Sequence, residues 1–351
     1  MCAQYFFLEW RYKIKMKEQN GSPCLSVFDN SLVFYYIYTM TKLKTWVHAF
    51  RLRTLPLSFS GIILGSFIAY SHSLFDSCIF GFAMLTTVLF QVLSNLANDL
   101  GDTLKGADNM ERVGPERAVQ SGKITVNEMK RAVGIFGLLS FCSASVLIYL
   151  SSSGKPSAFW IIYGGLAALC ILAAITYTIG KKAYGYLGLG DFFVFIFFGL
   201  VSVIGVYYLY VPGVVLEQGT IYWELLLPAS IIGFLSAAVL NLNNMRDRVN
   251  DQKVGKKTLV VKIGGDVAKL YHSVLVLAAI LCMFFYVKNY YPSNKWMYLL
   301  AVPGLVLILH LRKVMGIRYE KDFDPELKKV ALSAFSASIL FALAVYLKGE
   351  I

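Results

Sequence analysis

The sequence predicts an all-α polytopic membrane bundle of about nine transmembrane helices. The first observation is its composition: 57% of the 351 residues are hydrophobic, only 15% are charged, and the mean hydropathy is +0.60. A soluble domain carries about 25% charged residues. The second observation is that apolar residues fall into windows of about 20, which span a bilayer core of roughly 30 Å as helices. Because lipid offers no water to the backbone, such windows must form helices.

Nine windows meet this length and apolar composition, and we take them in chain order. They cover residues 55–73, 78–98, 130–150, 157–178, 190–210, 222–243, 268–287, 296–311 and 330–347. The eighth window is the shortest. Together they predict one membrane-embedded domain over residues 40–351.

The third observation is that basic residues alternate between the connections. The connections 40–54, 99–132, 179–188, 244–270 and 312–330 hold 25 Lys and Arg residues by count. The intervening connections and the C-terminal end hold only four: Lys155, Lys288, Lys295 and Lys348. This asymmetry predicts a multi-pass protein of the cell (inner) membrane whose N-terminus and basic connections face the cytoplasm. Topology therefore accounts for the net charge of +12, and we expect no nucleic-acid partner.

The first 39 residues do not fit this pattern. The stretch "MCAQYFFLEWRYKIKMKEQNGSPCLSVFDN" has no long apolar span and lacks the order of charge, apolar core and cleavage site of a signal peptide. From Met40, "MTKLKTWVHAF" places basic residues before the first window. We expect residues 1–39 to be a non-conforming extension, either a disordered tail or a misassigned start, with Met40 as the true start.

Two groups of oxygen-bearing side chains end two of the predicted helices on the basic side. The first follows the second window in "SNLANDLGDTLKGAD" (94–108), and the second follows the sixth window in "NLNNMRDRVNDQK" (241–253). Spacings of three or four residues place Asn98 and Asp102 on one face of the first helix. The same spacings place Asn244, Asp247 and Asp251 on one face of the second. We call Asn98, Asp99, Asp102 and Asp108 the first cluster, and Asn244, Asp247 and Asp251 the second cluster.

The residue types in the clusters indicate a magnesium–diphosphate site. Carboxylate and amide oxygens without Cys or His ligands select a hard cation, Mg²⁺ before Ca²⁺. Magnesium typically accepts one or two carboxylates and completes its coordination with water and substrate phosphates. The four histidines, His48, His72, His272 and His310, show no metal-ligand spacing, so we expect no zinc or haem site. A solvated helix end could explain one cluster, but two at the same depth favour a shared diphosphate.

Basic and aromatic residues near the clusters extend this hypothesis. Arginine binds phosphate bidentately and lysine supplies a point charge, although each basic residue could also be a topology marker. A diphosphate held beside apolar helices suggests a lipid substrate, and metal ions would help an allylic diphosphate to ionise. Tyr177 could shield the resulting cation, or could be an interfacial tyrosine. The candidate basic residues are Arg112, Arg117, Lys181, Lys182, Arg246, Lys256 and Lys257.

With these motifs the chain resembles the UbiA-type intramembrane prenyltransferases, in order from about Met40 to the C-terminus. The resemblance rests on "NLANDLGDTLKGADNMERVGPERAVQSGKIT" (95–125), "TYTIGKKAYGYLGLGDFFVFIFFG" (176–199) and "NLNNMRDRVNDQKVGKKTLVVKIG" (241–264). Gly106, Asp108 and "YGYLGLGD" are most like the branch that prenylates 1,4-dihydroxy-2-naphthoate for menaquinone synthesis. One departure is Leu52, where relatives commonly have proline.

The resemblance implies specific roles for the site residues. Asn98, Asp102, Asp247 and Asp251 would bind the Mg²⁺–diphosphate, assisted by Asp99, Asp108 and Asn244. Basic residues would bind phosphate, with Tyr177 and Lys181 near the reacting carbon and Asp191 on the acceptor side. The implied reaction transfers a polyprenyl chain from its diphosphate to the aromatic acid, with loss of CO₂. The resemblance implies that Arg117 and Lys256 bind phosphate, and we expect Arg246 and Lys257, which flank the second cluster, to bind it as well.

Two alternatives stay open at this stage. Another aromatic acceptor, such as 4-hydroxybenzoate or homogentisate, would need the same metal site. A cation transporter would also place carboxylates in a membrane bundle. Transport sites usually lie near the bilayer midplane on broken helices, whereas these clusters follow apolar windows beside basic residues. The pattern therefore favours the enzyme.

Overall fold

The computed structural model describes residues 30–109, 111–218 and 222–349, with side chains from residue 40 onward. The chain divides into two compact units, Met1–Lys44 and Thr45–Ile351. Of the first unit, only residues 30–44 are described, and they are helical. The expectation about residues 1–39 falls mostly outside the described residues, and it stays a prediction.

Helices make up the regular structure, and the described residues contain no β-strand. One of them, α6, is continuous over Gly190–Tyr210 and is π-helical over Phe195–Gly205. The others are α1 Asn30–Phe50, α2 Leu55–Ser71, α3 Ser77–Leu104, α4 Val126–Ser151, α5 Ser157–Thr176, α7 Gly213–Glu217, α8 Leu226–Lys253, α9 Leu259–Ile263, α10 Gly265–Tyr290, α11 Ala301–Gly316 and α12 Asp324–Gly349.

Nine helical segments in the described residues are long and apolar enough to cross a membrane. They correspond one to one with the nine windows, so the all-α membrane bundle predicted from the sequence is confirmed. The main differences lie at the ends. Helix α3 runs six residues beyond the 78–98 window, to Leu104, and α8 runs ten beyond 222–243, to Lys253. These extensions keep Asp102, Asp247 and Asp251 on helices, as the spacing argument requires.

The burial pattern is that of a protein surrounded by lipid. Large apolar side chains are exposed on the outer helices, for example Leu138 at 64%, Ile161 at 76% and Phe284 at 58%. In contrast, α8 places polar residues in the interior, among them Asn241 at 0% and Asp251 at 3% exposure. A soluble protein buries its apolar residues and leaves such large side chains exposed only singly. The arrangement therefore agrees with a multi-pass membrane protein.

Helix α6 packs closely against α8 at glycine positions. A Cβ atom on Gly199 would lie 2.7 Å from the Ala229 carbonyl oxygen and from the Gly233 Cα. This close contact joins the π-helical part of α6 to α8. The π-helix is rare and often occurs at functional sites. The contact holds α6 and α8 together about three to four turns before α8 reaches the second cluster.

Candidate active site

The two cluster helices end in the same capping motif. After α3, the N–H groups of Ala107 and Gly106 donate to the carbonyl oxygens of Asp102 and Thr103, at 2.8 and 3.1 Å. After α8, Lys256 and Gly255 make the equivalent bonds to Asp251 and Gln252, at 2.8 and 3.3 Å. Gly106 and Gly255 adopt φ values of +71° and +73°. This is the Schellman motif, in which glycine takes the left-handed position.

The shared cap gives Asp102 and Asp251 equivalent places in the last turn of their helices. The backbone carbonyl oxygen of each aspartate accepts a hydrogen bond from the cap, and its carboxylate is left for other partners. Both side chains are buried, at 4% and 3% exposure. The sequence therefore builds two matching carboxylate positions, one per cluster.

Asp102 collects three partners of different kinds. The Tyr186 hydroxyl donates to Oδ1 at 2.8 Å, the Arg117 guanidinium lies 3.5 Å from Oδ2, and the Lys256 Nζ lies 3.6 Å from Oδ1. Tyr186 belongs to the connection between α5 and α6, and Lys256 follows α8. Asp102 is therefore the point at which three separate segments of the chain meet.

Asp247 is held mainly by its neighbour. Arg246 donates from Nε to Oδ1 at 3.0 Å and from Nη2 to Oδ2 at 2.8 Å, which is a bidentate pair. The same guanidinium donates from Nη2 to Asn243 at 2.7 Å and from Nη1 to Asp324 at 2.5 Å. All three nitrogens of Arg246 therefore have protein partners. Its predicted role in binding diphosphate stays a prediction.

Two cations connect the clusters to each other. Arg112 lies 3.3 Å from Asp108 Oδ1 and 3.4 Å from Asp247 Oδ2, so it contacts both clusters. Lys256 lies 3.6 Å from Asp102 and 3.8 Å from Asp251, and it also contacts both. These contacts place the two clusters on opposite sides of one compact polar site.

Burial and neighbouring charges shift the pKa values of Asp108, Lys256 and Tyr186, which lie outside the long helices. Burial and the nearby charge of Asp102 raise the pKa of Asp108 to about 7. Burial alone would lower the pKa of Lys256, but the charges of Asp102, Asp251 and Asp247 raise it above its ordinary value. Burial, followed by the charge of Asp102, also raises the pKa of Tyr186. At neutral pH the tyrosine is therefore a hydrogen-bond donor and the lysine a cation.

The remaining cluster residues differ in their surroundings. Asn98 accepts a hydrogen bond from Thr178 Oγ1 at 3.4 Å, and Asn244 is buried at 4% exposure. Asp99 instead accepts from the Ala118 backbone N–H at 3.1 Å. This bond anchors the connection that carries the arginine at position 117. Its predicted metal role stays a prediction.

An apolar cavity of about 360 Å³ lies beside the clusters. Asn98 and Tyr177 line it, together with residues of α3 from Ala83 onward. Fifteen residues of helix separate Ala83 from Asn98, which corresponds to about 22 Å. Its further walls come from α4, α5 and α6, including Leu147, Phe197 and Leu209. The cavity is therefore long and narrow enough for a hydrocarbon chain.

Tyr177 and Asp191 lie near each other, whereas two predicted lysines point elsewhere. A Cβ on Gly190, next to Asp191, would lie 3.2 Å from the Tyr177 hydroxyl oxygen. Asp191 is 6% exposed, and its Oδ1 has no hydrogen-bond partner among the described residues. Lys181 and Lys257 are exposed, and in the described part of the chain neither forms an ion pair with a cluster residue.

The donor set fits magnesium bound together with a diphosphate, but not a cage built by protein alone. Both carboxylate oxygens of Asp108 are buried without a hydrogen-bond partner in the described residues, although two arginines lie nearby. Within residues 30–109, 111–218 and 222–349, no three His, Cys, Asp or Glu side chains are arranged to hold a metal ion. Magnesium usually takes one or two carboxylates and fills its coordination with water and phosphate oxygens.

Sequence reasoning missed several residues. Tyr186 lies in the "YGYLGLGD" motif, but no role is predicted for it. The motif also contains Tyr184, and the sequence does not show which of the two hydroxyl groups reaches Asp102. Arg112 is among the candidate basic residues, but the sequence does not show that it contacts both clusters. His272 and His310 looked scattered, but their Nε2 atoms lie 2.8 Å apart. His310 Nδ1 also lies 2.7 Å from Glu326.

The chain matches the UbiA prenyltransferase family over residues 58–342. The chain belongs to the UbiA prenyltransferase family. This confirms the resemblance inferred from the three motifs. The match covers all three motifs and every transmembrane helix from α3 to α11.

Two bacterial relatives are similar over most of their length. The chain is 38% identical to 1,4-dihydroxy-2-naphthoate octaprenyltransferase of Escherichia coli (strain K12), covering 88% of this chain and 97% of the relative. It is 39% identical to the Haemophilus influenzae protein of the same name, covering 87% and 96%. The branch expected from the motifs thus agrees with both relatives.

Solved structures share the fold. The apo structure of a UbiA homolog from Aeropyrum pernix K1 matches with a TM-score of 0.58 at 16% identity, covering 86% of this chain and 98% of that chain. A UbiA homolog from Archaeoglobus fulgidus bound to GPP and Mg²⁺ matches with a TM-score of 0.52 at 14% identity, covering 86% and 99%. These matches support the helical membrane bundle.

Proposed function

We propose that the protein transfers a polyprenyl chain from a polyprenyl diphosphate to 1,4-dihydroxy-2-naphthoate, releasing diphosphate and CO₂ to give demethylmenaquinone. The family and the names of the relatives in E. coli and H. influenzae support the prenyl transfer and its acceptor. The loss of CO₂ rests on the resemblance to the branch that prenylates 1,4-dihydroxy-2-naphthoate. The proposal agrees with the function expected from the sequence.

One observation carries the proposal: Arg112 and Lys256 join two oxygen-ligand clusters beside a long apolar cavity. The clusters suit a diphosphate with its metal ions, and the cavity suits the hydrocarbon tail. No transport path is needed to explain this pairing. An enzyme that cleaves a lipid diphosphate requires both parts side by side.

We propose that Mg²⁺ is held by one or two carboxylates from each cluster. When bound, it stabilises the charge of the departing diphosphate. The ligands would come from Asn98, Asp102 and Asp108 in the first cluster and from Asn244, Asp247 and Asp251 in the second. A UbiA homolog from Archaeoglobus fulgidus has been solved with GPP and Mg²⁺. Its likeness to this chain is one of fold, so the ligand set rests on the donors present here.

The chain's own cations would complete diphosphate binding. Arg117 and Arg112 are both largely buried and reach the first cluster. Lys256 stays protonated because carboxylates surround it. Once the diphosphate brings its own negative charge, these side chains can donate to its oxygens. Tyr186 keeps Asp102 oriented through its hydroxyl.

Tyr177 stands between the polar site and the cavity. It lines the cavity, and burial, followed by the charge of Asp191, raises its pKa. The ring therefore stays neutral and can stabilise a developing allylic cation through its face. The surrounding apolar residues exclude water, which would otherwise capture the cation.

In the proposed reaction, the prenyl carbon passes from diphosphate to the naphthoate ring. The C–O bond between the prenyl carbon and diphosphate breaks, and its electron pair leaves with diphosphate. The ring carbon that bears the carboxylate supplies the electron pair for the new C–C bond. The carboxylate then leaves as CO₂, and its bonding electrons restore the aromatic ring. We propose Asp191 as an acceptor-side group, because it is buried next to Gly190, whose position adjoins Tyr177.

We also propose the orientation and membrane of the protein. The basic connections lie on the side of the clusters, so the positive-inside rule places this side in the cytoplasm. In a bacterium this corresponds to the inner membrane. A soluble aromatic acid would then reach the site from the cytoplasm while the prenyl tail stays in the bilayer.

The experiment supplies purified protein in detergent with Mg²⁺, a polyprenyl diphosphate and one of three acceptors. We expect prenylation of 1,4-dihydroxy-2-naphthoate with equal amounts of CO₂ and diphosphate. Prenylation of 4-hydroxybenzoate or homogentisate instead would overturn the acceptor but keep the metal site. If no acceptor is prenylated and no diphosphate is released, the enzyme proposal fails.

A further inference from the structure

The first turn of α12 contacts the second cluster through a charged side chain. Asp324 Oδ1 accepts a hydrogen bond from Arg246 Nη1 at 2.5 Å. Arg246 in turn holds both oxygens of Asp247. The two carboxylates lie 77 residues apart in the chain, and one guanidinium joins them.

The Arg246 guanidinium is buried, and its position depends on its hydrogen-bond partners. The Arg246 side chain is 4% exposed and the Asp247 side chain 7%, whereas that of Asp324 is 47% exposed. A buried guanidinium keeps its position only if its donors are satisfied. Its Nη2 is shared between Asp247 and Asn243, and its Nε belongs to Asp247. Asp324 is therefore the partner that occupies Nη1.

The position of this guanidinium matters for metal binding. A carboxylate paired with an arginine offers a metal only the lone pairs that the arginine leaves. Small shifts of Arg246 would change which oxygen of Asp247 is available. Groups that orient a metal ligand typically change metal affinity or activity by 10–100-fold when they are mutated.

We infer that Asp324 is a positioning residue, which fixes Arg246 and thereby presents Asp247 to the metal–diphosphate. The inference rests on the proposed function. It gives α12, which carries no cluster residue, a part in the chemistry of the site. It also explains why all three nitrogens of Arg246 donate to protein groups and not to a phosphate.

The test measures metal binding in the presence of inorganic diphosphate, which supplies the phosphate oxygens, without any prenyl substrate and against protein-free samples that contain the same diphosphate. Mn²⁺ replaces Mg²⁺, and free Mn²⁺ is followed by electron paramagnetic resonance with purified protein in detergent. Asp324→Asn should weaken Mn²⁺ binding about tenfold, and Asp324→Glu should restore most of it. Asp322→Asn is the matched control: it removes one acidic charge two residues earlier, in the surroundings of Lys313, and should leave the affinity unchanged.

A double-mutant cycle shows whether Asp324 acts through Arg246. In the Arg246→Lys background, Asp324→Asn should cause no further loss of Mn²⁺ affinity. Melting temperatures in detergent should agree within a few degrees across the set.

An unchanged affinity in Asp324→Asn, or a full additional loss in the Arg246→Lys background, overturns the inference. An Asp324→Asn variant that does not fold also overturns it, because Asp324 would then have a structural role. Failure of prenyl transfer in the wild-type protein would bear on the proposed function and leave this binding test intact.

Discussion

Arg112 Nη2 lies 3.4 Å from Asp247 Oδ2, although 135 residues separate them. The arginine belongs to the connection after the first cluster, and the aspartate to the second. Its Nε lies 3.3 Å from Asp108. One side chain therefore relates the two halves of the site, and its removal should leave the carboxylates of both clusters to repel each other.

This contact predicts the effect of replacing the arginine. Arg112→Gln should raise the KM for the polyprenyl diphosphate about tenfold, because hydrogen bonds of charged groups contribute about 1.5–3 kcal/mol. Steady-state kinetics with the naphthoate at saturation measure this change. Arg131→Gln is the control, because it removes an exposed arginine from α4. An unchanged KM in Arg112→Gln would show that this side chain does not serve the diphosphate.

The tyrosine that donates to Asp102 gives a second prediction. Tyr186→Phe removes the 2.8 Å hydrogen bond and keeps the ring, over which Lys256 Nζ lies 5.2 Å from the centroid. We expect turnover to fall about tenfold, since the lost bond involves a charged acceptor. Tyr298→Phe, at a 79% exposed position, should have no effect. Equal rates for both variants would show that the hydrogen bond from Tyr186 to Asp102 does not contribute to turnover.

A glycine in α3 allows a third prediction. A Cβ on Gly101 would lie 2.4 Å from Thr178 Oγ1 and 2.8 Å from the Thr178 backbone carbon. Gly101→Ala should therefore destabilise the protein by about 1–3 kcal/mol and displace the neighbouring Tyr177, which lowers activity. The measurement is the melting temperature in detergent together with the rate of prenyl transfer.

The matched control for this prediction is Gly137→Ala in α4. No described atom lies within 4 Å of an added Cβ at that position. Alanine is favoured over glycine in a helix by about 1 kcal/mol, so stability should be unchanged or slightly higher. If both variants behave alike, the close approach of α3 to Thr178 has no consequence for the site.

The sequence could predict the helices and the clusters because both depend on local patterns. Apolar windows predicted the nine membrane-spanning helices, and a four-residue spacing placed Asp247 and Asp251 on one face of α8. The glycines at 106 and 255 could have indicated matching helix ends, since the same cap follows both clusters. Such signals lie within a few residues of each other in the chain.

The remaining contacts depend on how distant segments pack. Nothing near Arg246 shows that its guanidinium pairs with Asp247 and Asp324 rather than facing a phosphate. Likewise, His272 and His310 are 38 positions apart in the chain, and the sequence gives no sign that their rings meet. Such pairings follow from the packing of α8 against α12 and of α10 against α11, which apolar periodicity does not encode.

The central claim is that the two clusters hold one diphosphate between them and act as a unit. Asp102→Asn and Asp247→Asn should each lower the rate of diphosphate release at least about a hundredfold, since metal-assisted departure contributes several kcal/mol. The decisive measurement is the rate of the double variant, made alongside Glu116→Gln, an exposed carboxylate paired with the exposed Lys123. For residues that act as a unit, the double variant should be about as slow as either single variant. If the two losses multiply, or if either single variant keeps near-normal turnover, the shared site is contradicted.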